Sequence, residues 1–446
     1  MGAATDRLLA MMPAGEGFAP AFADVRDLQV AAMNERLQEV GQRIKLVKMR
    51  AADAGIDAIA SHADMVPLLL PHTAYKSYPE SFLHERKWDK LTRWLGTVTA
   101  CPVDGVDLAG VEDMDQWAEA CAAAGVFVSC SSGTTGKPAM LPAARSDLDF
   151  AGAENIVAVQ WGSAIRAGDK RVMAGYGATA QSPRNNATGS ALVAAFVDHT
   201  RLATSKVPAI TMGSISKMIT LRKAIAEGTA RPAEIAEFER ESAAREAAFS
   251  GALAAAADHV IAHRADKLFI MAMWGPLYLL AEEVRNRGLS GKDFHPENAV
   301  FLGGGLKRAQ VPPNYKEYIY ETFNLSPAFT YQMYGMQETQ TSMPRCSHGR
   351  YHVPAWMVCL PLNKAGDALL PMTGEVEARA AFFDLSMQGR WGGVISGDRI
   401  SIDYRPCACG AASPSIADDI ARYADIEGDD KIACSGTVDA YVRGIS

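Results

Sequence analysis

Apolar positions change their spacing along the chain, and each spacing predicts a different kind of element. Between Met33 and Ala54 they recur at Leu37, Val40, Ile44, Leu46, Val47 and Met49 among charged residues, which predicts helix. In YKSYPESFLHERKWDKLTRWLG, Trp88, Leu91 and Trp94 recur at helical intervals with Lys and Arg between them, so that face is assigned to the core. Residues 1–95 therefore read as a helical lead-in packed on the core. From Gly125 the texture changes to short β-rich runs, VFVSC, RVMAGYG and AVFLGGG, separated by helical segments, which predicts an α/β sheet core. Ile219 to His263 is rich in Ala and Glu, with Arg and Glu at i, i+4 spacings and interruptions at Gly228 and Pro232. Two surface helices joined by a turn are expected there. No repeat or low-complexity linker divides the chain, and RPCACGAASP is the strongest candidate boundary.

Composition narrows the function classes. The 446 residues carry 44 Lys and Arg against 51 Asp and Glu, so no basic excess exists to hold a polyanion such as nucleic acid. At 48% hydrophobic and 21% charged, the chain can bury a large core, and wholesale disorder is excluded. The longest apolar stretch, Leu268 to Ala281, spans 14 residues and is broken by Gly275 and Pro276, too short for a membrane helix of about 20. The start, MGAATDRLLAMMP, lacks a basic region followed by an apolar segment, so no secretory signal is expected and the cytoplasm is the expected compartment. Eight cysteines in so long a chain do not suggest a disulfide scaffold. Cys101, Cys121, Cys130 and Cys359 stand alone among apolar neighbours and are assigned to packing.

The densest chemistry lies in Ser131-Ser132-Gly133-Thr134-Thr135-Gly136-Lys137-Pro138, which puts two glycines, four hydroxyls and one cation directly after the apolar run Val126 to Val128. Glycine lets backbone N–H groups converge on an anion, hydroxyls donate further bonds, and lysine supplies a mobile charge, so a phosphate cradle is expected. The P-loop pattern GxxxxGK[ST] fails twice: residue 131 is Ser where Gly is needed, and Pro138 follows Lys137 where a magnesium-binding hydroxyl belongs. Pro138 and Pro142 also oppose a long helix directly after the loop, so the loop is expected to join two strands. A Ser/Gly turn without a ligand is the other reading.

SSGTTGKP resembles the nucleotide-binding signature of the adenylate-forming superfamily of acyl- and aryl-CoA ligases, luciferases and peptide-synthetase adenylation domains. Two further matches follow in the family's order: Tyr334-Gly335-Met336-Gln337-Glu338, similar to YGx[ST]E, and Ser396-Gly397-Asp398, similar to its GD motif. The resemblance implies an α/β adenylate-forming core over 96–425, after the lead-in and before a vestigial hinge and tail at 426–446. It also implies that Lys137, Thr134, Thr135 and Glu338 act on the phosphates. Ser131, Ser132, Gly133, Gly136 and Gly335 would shape the nucleotide site, Tyr334 would stack on adenine, and Glu338 would help hold Mg²⁺. Asp398 would accept both ribose hydroxyls. Gly303, Gly304 and Gly305 resemble a glycine-containing strand end where close backbone approach excludes a side chain, although a plain tight turn explains them as well. Gln337 departs from the family's Ser or Thr.

Cys346, His348, His352, Cys407 and Cys409 form a second constellation. RCSHGRYH and RPCACG offer three sulfurs and a choice of two imidazoles, the kind of set tetrahedral zinc takes. The pattern resembles phenylacetate-CoA ligase-like members of the superfamily, in which His352 is the better positional match. A structural zinc held by Cys346, His352, Cys407 and Cys409 is expected. The other reading is a cysteine-punctuated turn with histidines at the surface.

The implied reaction joins a carboxylic acid to AMP, releases pyrophosphate, and passes the acyl group to a thiol, with coenzyme A as the leading acceptor. The family's mobile C-terminal domain is expected to be truncated, with only GDDKI resembling its hinge, and Lys307 or Lys431 would be candidates to replace that domain's lysine. SYPESF and AYVRGIS resemble the acyl-protein synthetase branch, whose own acceptor cysteine corresponds here to Ile445, with Cys434 as a nearby substitute. Acyl transfer to a protein and a non-catalytic nucleotide sensor are therefore the alternatives. Gly175, Tyr176, Gly177 and Trp274 are candidate acid-pocket residues. A homo-oligomer would supply cover that a truncated domain lacks.

Overall fold

The computed structural model describes residues 2–130, 137–176, 181–202, 209–304, 306 and 309–428. Its α/β centre is a five-stranded sheet. Val172–Ala174, Leu268–Ala272, Asn298–Gly303 and Leu325–Tyr334 run parallel in that order, and Met343–Pro344 closes the edge antiparallel. A parallel sheet buries both faces, and the two-residue period of the strands sorts their side chains between them. Leu268, Ile270, Val300 and Leu302 meet helices Trp274–Asn286 and Tyr315–Phe323 through Leu277, Leu280, Val284, Ile319 and Phe323. Phe269, Ala299 and Phe301 point the other way, against Ala158 and Val159 of helix Arg145–Gly162 and Leu192 and Phe196 of helix Pro183–Phe196.

The second sheet has seven strands, built around the long strand Gly393–Asp403. One edge of that strand pairs antiparallel with Glu375–Asp384, which pairs in turn with Met357–Leu362. Three short strands line its other edge: Leu70–Pro71 beside Val394 and Ile395, Ala421–Arg422 beside Asp398 and Arg399, and Ser415–Ile416 beside Ile402 and Asp403. Asp398 thus lies midway along an edge assembled from distant parts of the chain. The two short strands that follow RPCACGAASP, Ser415–Ile416 and Ala421–Arg422, return to this sheet.

The strands Phe127–Cys130 and Met140–Ala143 pair antiparallel on either side of the SSGTTGKP sequence, so that sequence joins two strands as the prolines indicated. The long helix Arg145–Gly162 begins only after the second strand. The helices at 3–9, 22–39, 45–54 and 88–98 share one apolar core with this hairpin and with Leu360, Phe383, Trp391 and Ile395. Trp88, Leu91 and Trp94 are buried in it. The Ala/Glu-rich segment forms helices Met212–Ala226 and Pro232–Ala262, with Gly228 at φ +69° in the turn. Among the described residues no helix is long and apolar enough to cross a membrane.

Candidate functional site

The site begins where the SSGTTGKP sequence rejoins its hairpin. The Lys137 ammonium donates to the carbonyl of Tyr78 at 2.7 Å and lies 5.2 Å from the centre of the Tyr78 ring. The Tyr78 hydroxyl donates back to the Pro138 carbonyl at 2.7 Å. The SYPESF segment is therefore the floor on which the loop's exit rests. Ser131, Ser132, Gly133, Thr134, Thr135 and Gly136 lie outside the described residues.

The turn from Gly335 to Ser342, which carries Glu338, is held through its backbone by four buried ionisable side chains. Arg390 donates to the carbonyls of Gln337 at 2.8 Å and Glu338 at 3.3 Å, and to Pro142 of the hairpin at 2.7 Å. The Asp384 carboxylate accepts from the N–H groups of Gln340 and Thr341 at 2.8 and 2.9 Å. Glu154 accepts from the N–H and hydroxyl of Ser342, and Arg184 donates to the side chain and carbonyl of Gln340. Buried polar groups fixed to peptide groups in this way resist rearrangement, because losing one partner strands the other without water. Burial, opposed by the Ser342 hydrogen bonds, raises the Glu154 carboxyl to about 8. Burial, reinforced by neighbouring Arg390, brings Arg184 down to about 10. Asp147 orients Arg390: it accepts from Ala144 at the start of its own helix and from the N–H groups of Gln388 and Gly389. A Cβ on Gly389 would lie 2.2 Å from the Ala144 nitrogen, so only glycine permits this approach. The Glu338 carboxylate accepts no hydrogen bond among the described residues, and its charge acts on Lys76 and Arg184.

Tyr334 ends the fourth parallel strand, and its hydroxyl donates to Asp398 at 2.7 Å across 64 residues. Burial, and then the Asp398 charge it faces, push the phenol well above its usual value. The other Asp398 oxygen lies 3.7 Å from the Arg422 guanidinium, which strand pairing sets directly opposite. Gly303 pairs with Met333, so it ends beside Tyr334. A Cβ there would come no nearer than 3.9 Å to its neighbours, so close approach does not explain this glycine. Gly304 has φ +82°, the left-handed backbone of a tight turn. Gly335 also has room, with its nearest atoms at 3.9 Å. Close approach does apply at Gly175, where a Cβ would meet the Met271 carbonyl oxygen at 2.6 Å. Trp274 is 3% exposed and packs edge-on against Tyr315, and Tyr176 donates to the Phe249 carbonyl. Gly177, Gly305, Lys307, Lys431, Cys434 and Ile445 lie outside the described residues.

The ligand atoms of Cys346, His352, Cys407 and Cys409 all lie within 4.8 Å of one another. Cys346 and Cys407 sulfurs are 4.0 Å apart, and Cys409 sulfur is 3.4 Å from His352 Nε2. Tetrahedral zinc with bonds of about 2.3 Å to sulfur and about 2.0 Å to nitrogen separates its ligands by roughly 3.8 and 3.5 Å, so the donor set fits that ion. Two glycine turns build the halves: Cys346 to Gly349, with φ +78° at the glycine, and Cys407 to Gly410, with φ +95°. The hydroxyl of Ser413 lies 2.9 Å from His352 Nδ1 and orients the ring. His348 is exposed beside Ser347 and does not join the cluster. Burial opposes ionisation of Cys346, but hydrogen bonds from His352 and the backbone outweigh it and lower the thiol. Burial and the neighbouring sulfurs raise Cys409 to about 12.

Reading the sequence did not single out Arg184, Arg390, Asp384 and Glu154, which hold the Glu338 turn, or Arg422, which faces Asp398. A signal existed for two of them: Asp384 in AFFDLS and Arg390 in GRWGG are charges set among apolar or small residues, the pattern of an ion that must find its partner elsewhere.

No family model matches the chain. No curated protein matches it either. Among solved structures it is similar to 2-hydroxyisobutyryl-CoA ligase in the postadenylation state in complex with R3-HIB-AMP, at TM-score 0.56 and 13% identity over 93% of this chain and 70% of the other. An open conformation of that ligase in complex with 2-HIB-AMP and CoA gives the same score and identity over 92% and 73%. The chain therefore has the α/β fold of an adenylate-forming CoA ligase core.

Proposed function

We propose that the protein is an ATP-dependent ligase that converts a carboxylic acid to its adenylate and passes the acyl group to a thiol, with coenzyme A as the acceptor. The observation that carries this reading is the Tyr334–Asp398 hydrogen bond, which joins two of the three ordered motifs. The similar ligase holds an acyl adenylate and CoA, which supports the same chemistry here.

Asp398, a carboxylate acceptor, would receive the ribose hydroxyls in place of the Tyr334 hydroxyl and Arg422. Glu338 suits Mg²⁺: it is a hard oxygen donor on an immobilised turn, and that ion takes its remaining ligands from phosphate and water. When bound, the ion supplies charge neutralisation on the phosphates. A carboxylate oxygen of the acid attacks the α-phosphorus, the bond to the bridging oxygen breaks, and pyrophosphate leaves with its electron pair. The thiolate then attacks the adenylate carbonyl and AMP departs. No protein nucleophile is needed, so this chain's task is to hold two anions together while donors absorb developing charge. Lys137 would turn from the Tyr78 carbonyl to the phosphates, with Thr134, Thr135 and the other loop hydroxyls donating beside it. The Cys346, His352, Cys407 and Cys409 set would hold structural zinc, joining the turn after Glu338 to the strands that flank Asp398.

Carboxylate-dependent ATP/pyrophosphate exchange over an acid panel tests this. Lys137→Ala and Glu338→Ala should each suppress exchange by at least ~10²-fold, the scale of one transition-state contact. Full exchange in both variants rejects the assignment.

A further inference from the structure

A carboxylate and a set of phosphate donors can share one small hard cation only if they stand a fixed distance apart. Here the two come from distant parts of the chain, the hairpin that flanks SSGTTGKP and the turn that carries Glu338. The segment that spaces them, residues 388–391, belongs to none of the ordered motifs and leads into the strand that bears Asp398.

That segment is anchored on both sides of Arg390. Before it, the Asp147 carboxylate accepts from the N–H groups of Gln388 and Gly389 at 2.6 and 2.8 Å, and from Ala144, just past the hairpin, at 2.9 Å. The Gly389 carbonyl accepts from the Thr99 hydroxyl at 2.6 Å and the Ala100 N–H at 2.9 Å. After it, the Trp391 carbonyl accepts from the Tyr75 hydroxyl at 3.3 Å, and its indole donates to the Leu68 carbonyl at 2.9 Å. The backbone of Arg390 is therefore a fixed point.

From that point the guanidinium, 1% exposed as part of its residue, reaches in two directions. Nη1 donates to the Pro142 carbonyl on the hairpin at 2.7 Å, while Nη2 and Nε donate to the carbonyls of Gln337 at 2.8 Å and Glu338 at 3.3 Å. Donors on one planar group keep constant separations, so this fork sets the span between hairpin and turn, as a flexible ammonium could not. The Glu338 carboxylate, partly exposed, accepts no hydrogen bond among the described residues. Arg390 thus fixes the backbone of Glu338 and leaves its side-chain oxygens to a cation.

Resting on the ligase reading above, we propose that Arg390 is a positioning residue for adenylation, whose guanidinium sets the distance between Glu338 and the SSGTTGKP hairpin and thereby the affinity of the site for the Mg²⁺ carried by ATP. It acts through Glu338 and the hairpin, not on the substrate. A changed span is felt in the metal-dependent part of binding, because Mg²⁺ demands near-ideal oxygen geometry. Contacts to the base and ribose do not depend on it.

The test compares wild type with Arg390→Lys, Arg390→Gln and Asp147→Asn. Calorimetry measures binding of MgATP and of ATP in EDTA, ATP/pyrophosphate exchange is followed against free Mg²⁺, and thermal unfolding is recorded for each protein. Lysine keeps the charge without the fork, and Asp147→Asn keeps the guanidinium but loosens the segment beneath it. Both arginine variants should weaken MgATP binding about tenfold, change ATP binding in EDTA by less than about twofold, and raise the free Mg²⁺ for half-maximal exchange about tenfold. Asp147→Asn should shift the same quantities in the same direction by about threefold. An arginine that only holds the fold would lower the unfolding temperature and leave the ratio of MgATP to ATP affinity and the Mg²⁺ requirement of folded molecules unchanged. That result, beside an active wild type, overturns the assignment and leaves the ligase reading intact. If the arginine variants do not fold, the same comparison in Asp147→Asn decides between the two outcomes. A wild type inert toward MgATP and every acid in the panel overturns both readings.

Discussion

Glu154→Gln isolates the proton held beneath the Glu338 turn. Glu154 is 1% exposed and its carboxyl is raised from the ordinary 4.5 to about 8, first by burial, so the native state keeps a proton that the unfolded chain has released. Between those two values the native state binds more protons than the unfolded one, and stability falls as pH rises. At about 1.4 kcal/mol per pH unit the full span amounts to roughly 5 kcal/mol, complete above pH 8 and absent below pH 4.5. Glutamine is a neutral isostere that still accepts from the Ser342 N–H and has no proton to lose. Its stability should match wild type within ~1 kcal/mol at pH 5 and exceed it by about 3 to 5 kcal/mol at pH 9. Urea unfolding of both proteins across pH 5 to 9 measures the difference directly, because other ionisable groups contribute equally to each. Parallel profiles would refute the reasoning and show that Arg184, whose charge opposes burial here, keeps the carboxylate ionised.

Other expectations follow from the same geometry. Metal analysis after dialysis should find about one zinc per chain; Cys407→Ser should abolish it and cost on the order of 5 kcal/mol in chemical unfolding, since ligation energy is folding energy. Arg390→Ala strands three carbonyls and should destabilise by about 3 to 5 kcal/mol, and Arg390→Lys should not recover it, because one ammonium cannot span the donor positions of a guanidinium fork. Asp398→Asn removes a carboxylate acceptor and should weaken calorimetric MgATP binding about tenfold, while unfolding changes by less than about 2 kcal/mol.

Sequence alone determined what depends on near neighbours. The placement of SSGTTGKP between two strands follows from the apolar run before it and the prolines after it, and the helix break at Gly228 follows from backbone chemistry. The glycine turns that aim Cys346, Cys407 and Cys409 are also local, which is why their donor set was legible, and the choice of His352 over His348 came from the resemblance to phenylacetate-CoA ligase-like members. Tertiary structure alone decided the rest. Nothing near Asp384, Glu154 or Arg390 in the chain announces the peptide groups they hold, which lie 44, 188 and 52 to 248 residues away. Nothing near Asp398 predicts that three separate strands line its edge. A turn or a period is set by bonds within a few residues, but a buried charge acquires its role from whichever partner the fold carries to it, and that partner can come from anywhere in the chain.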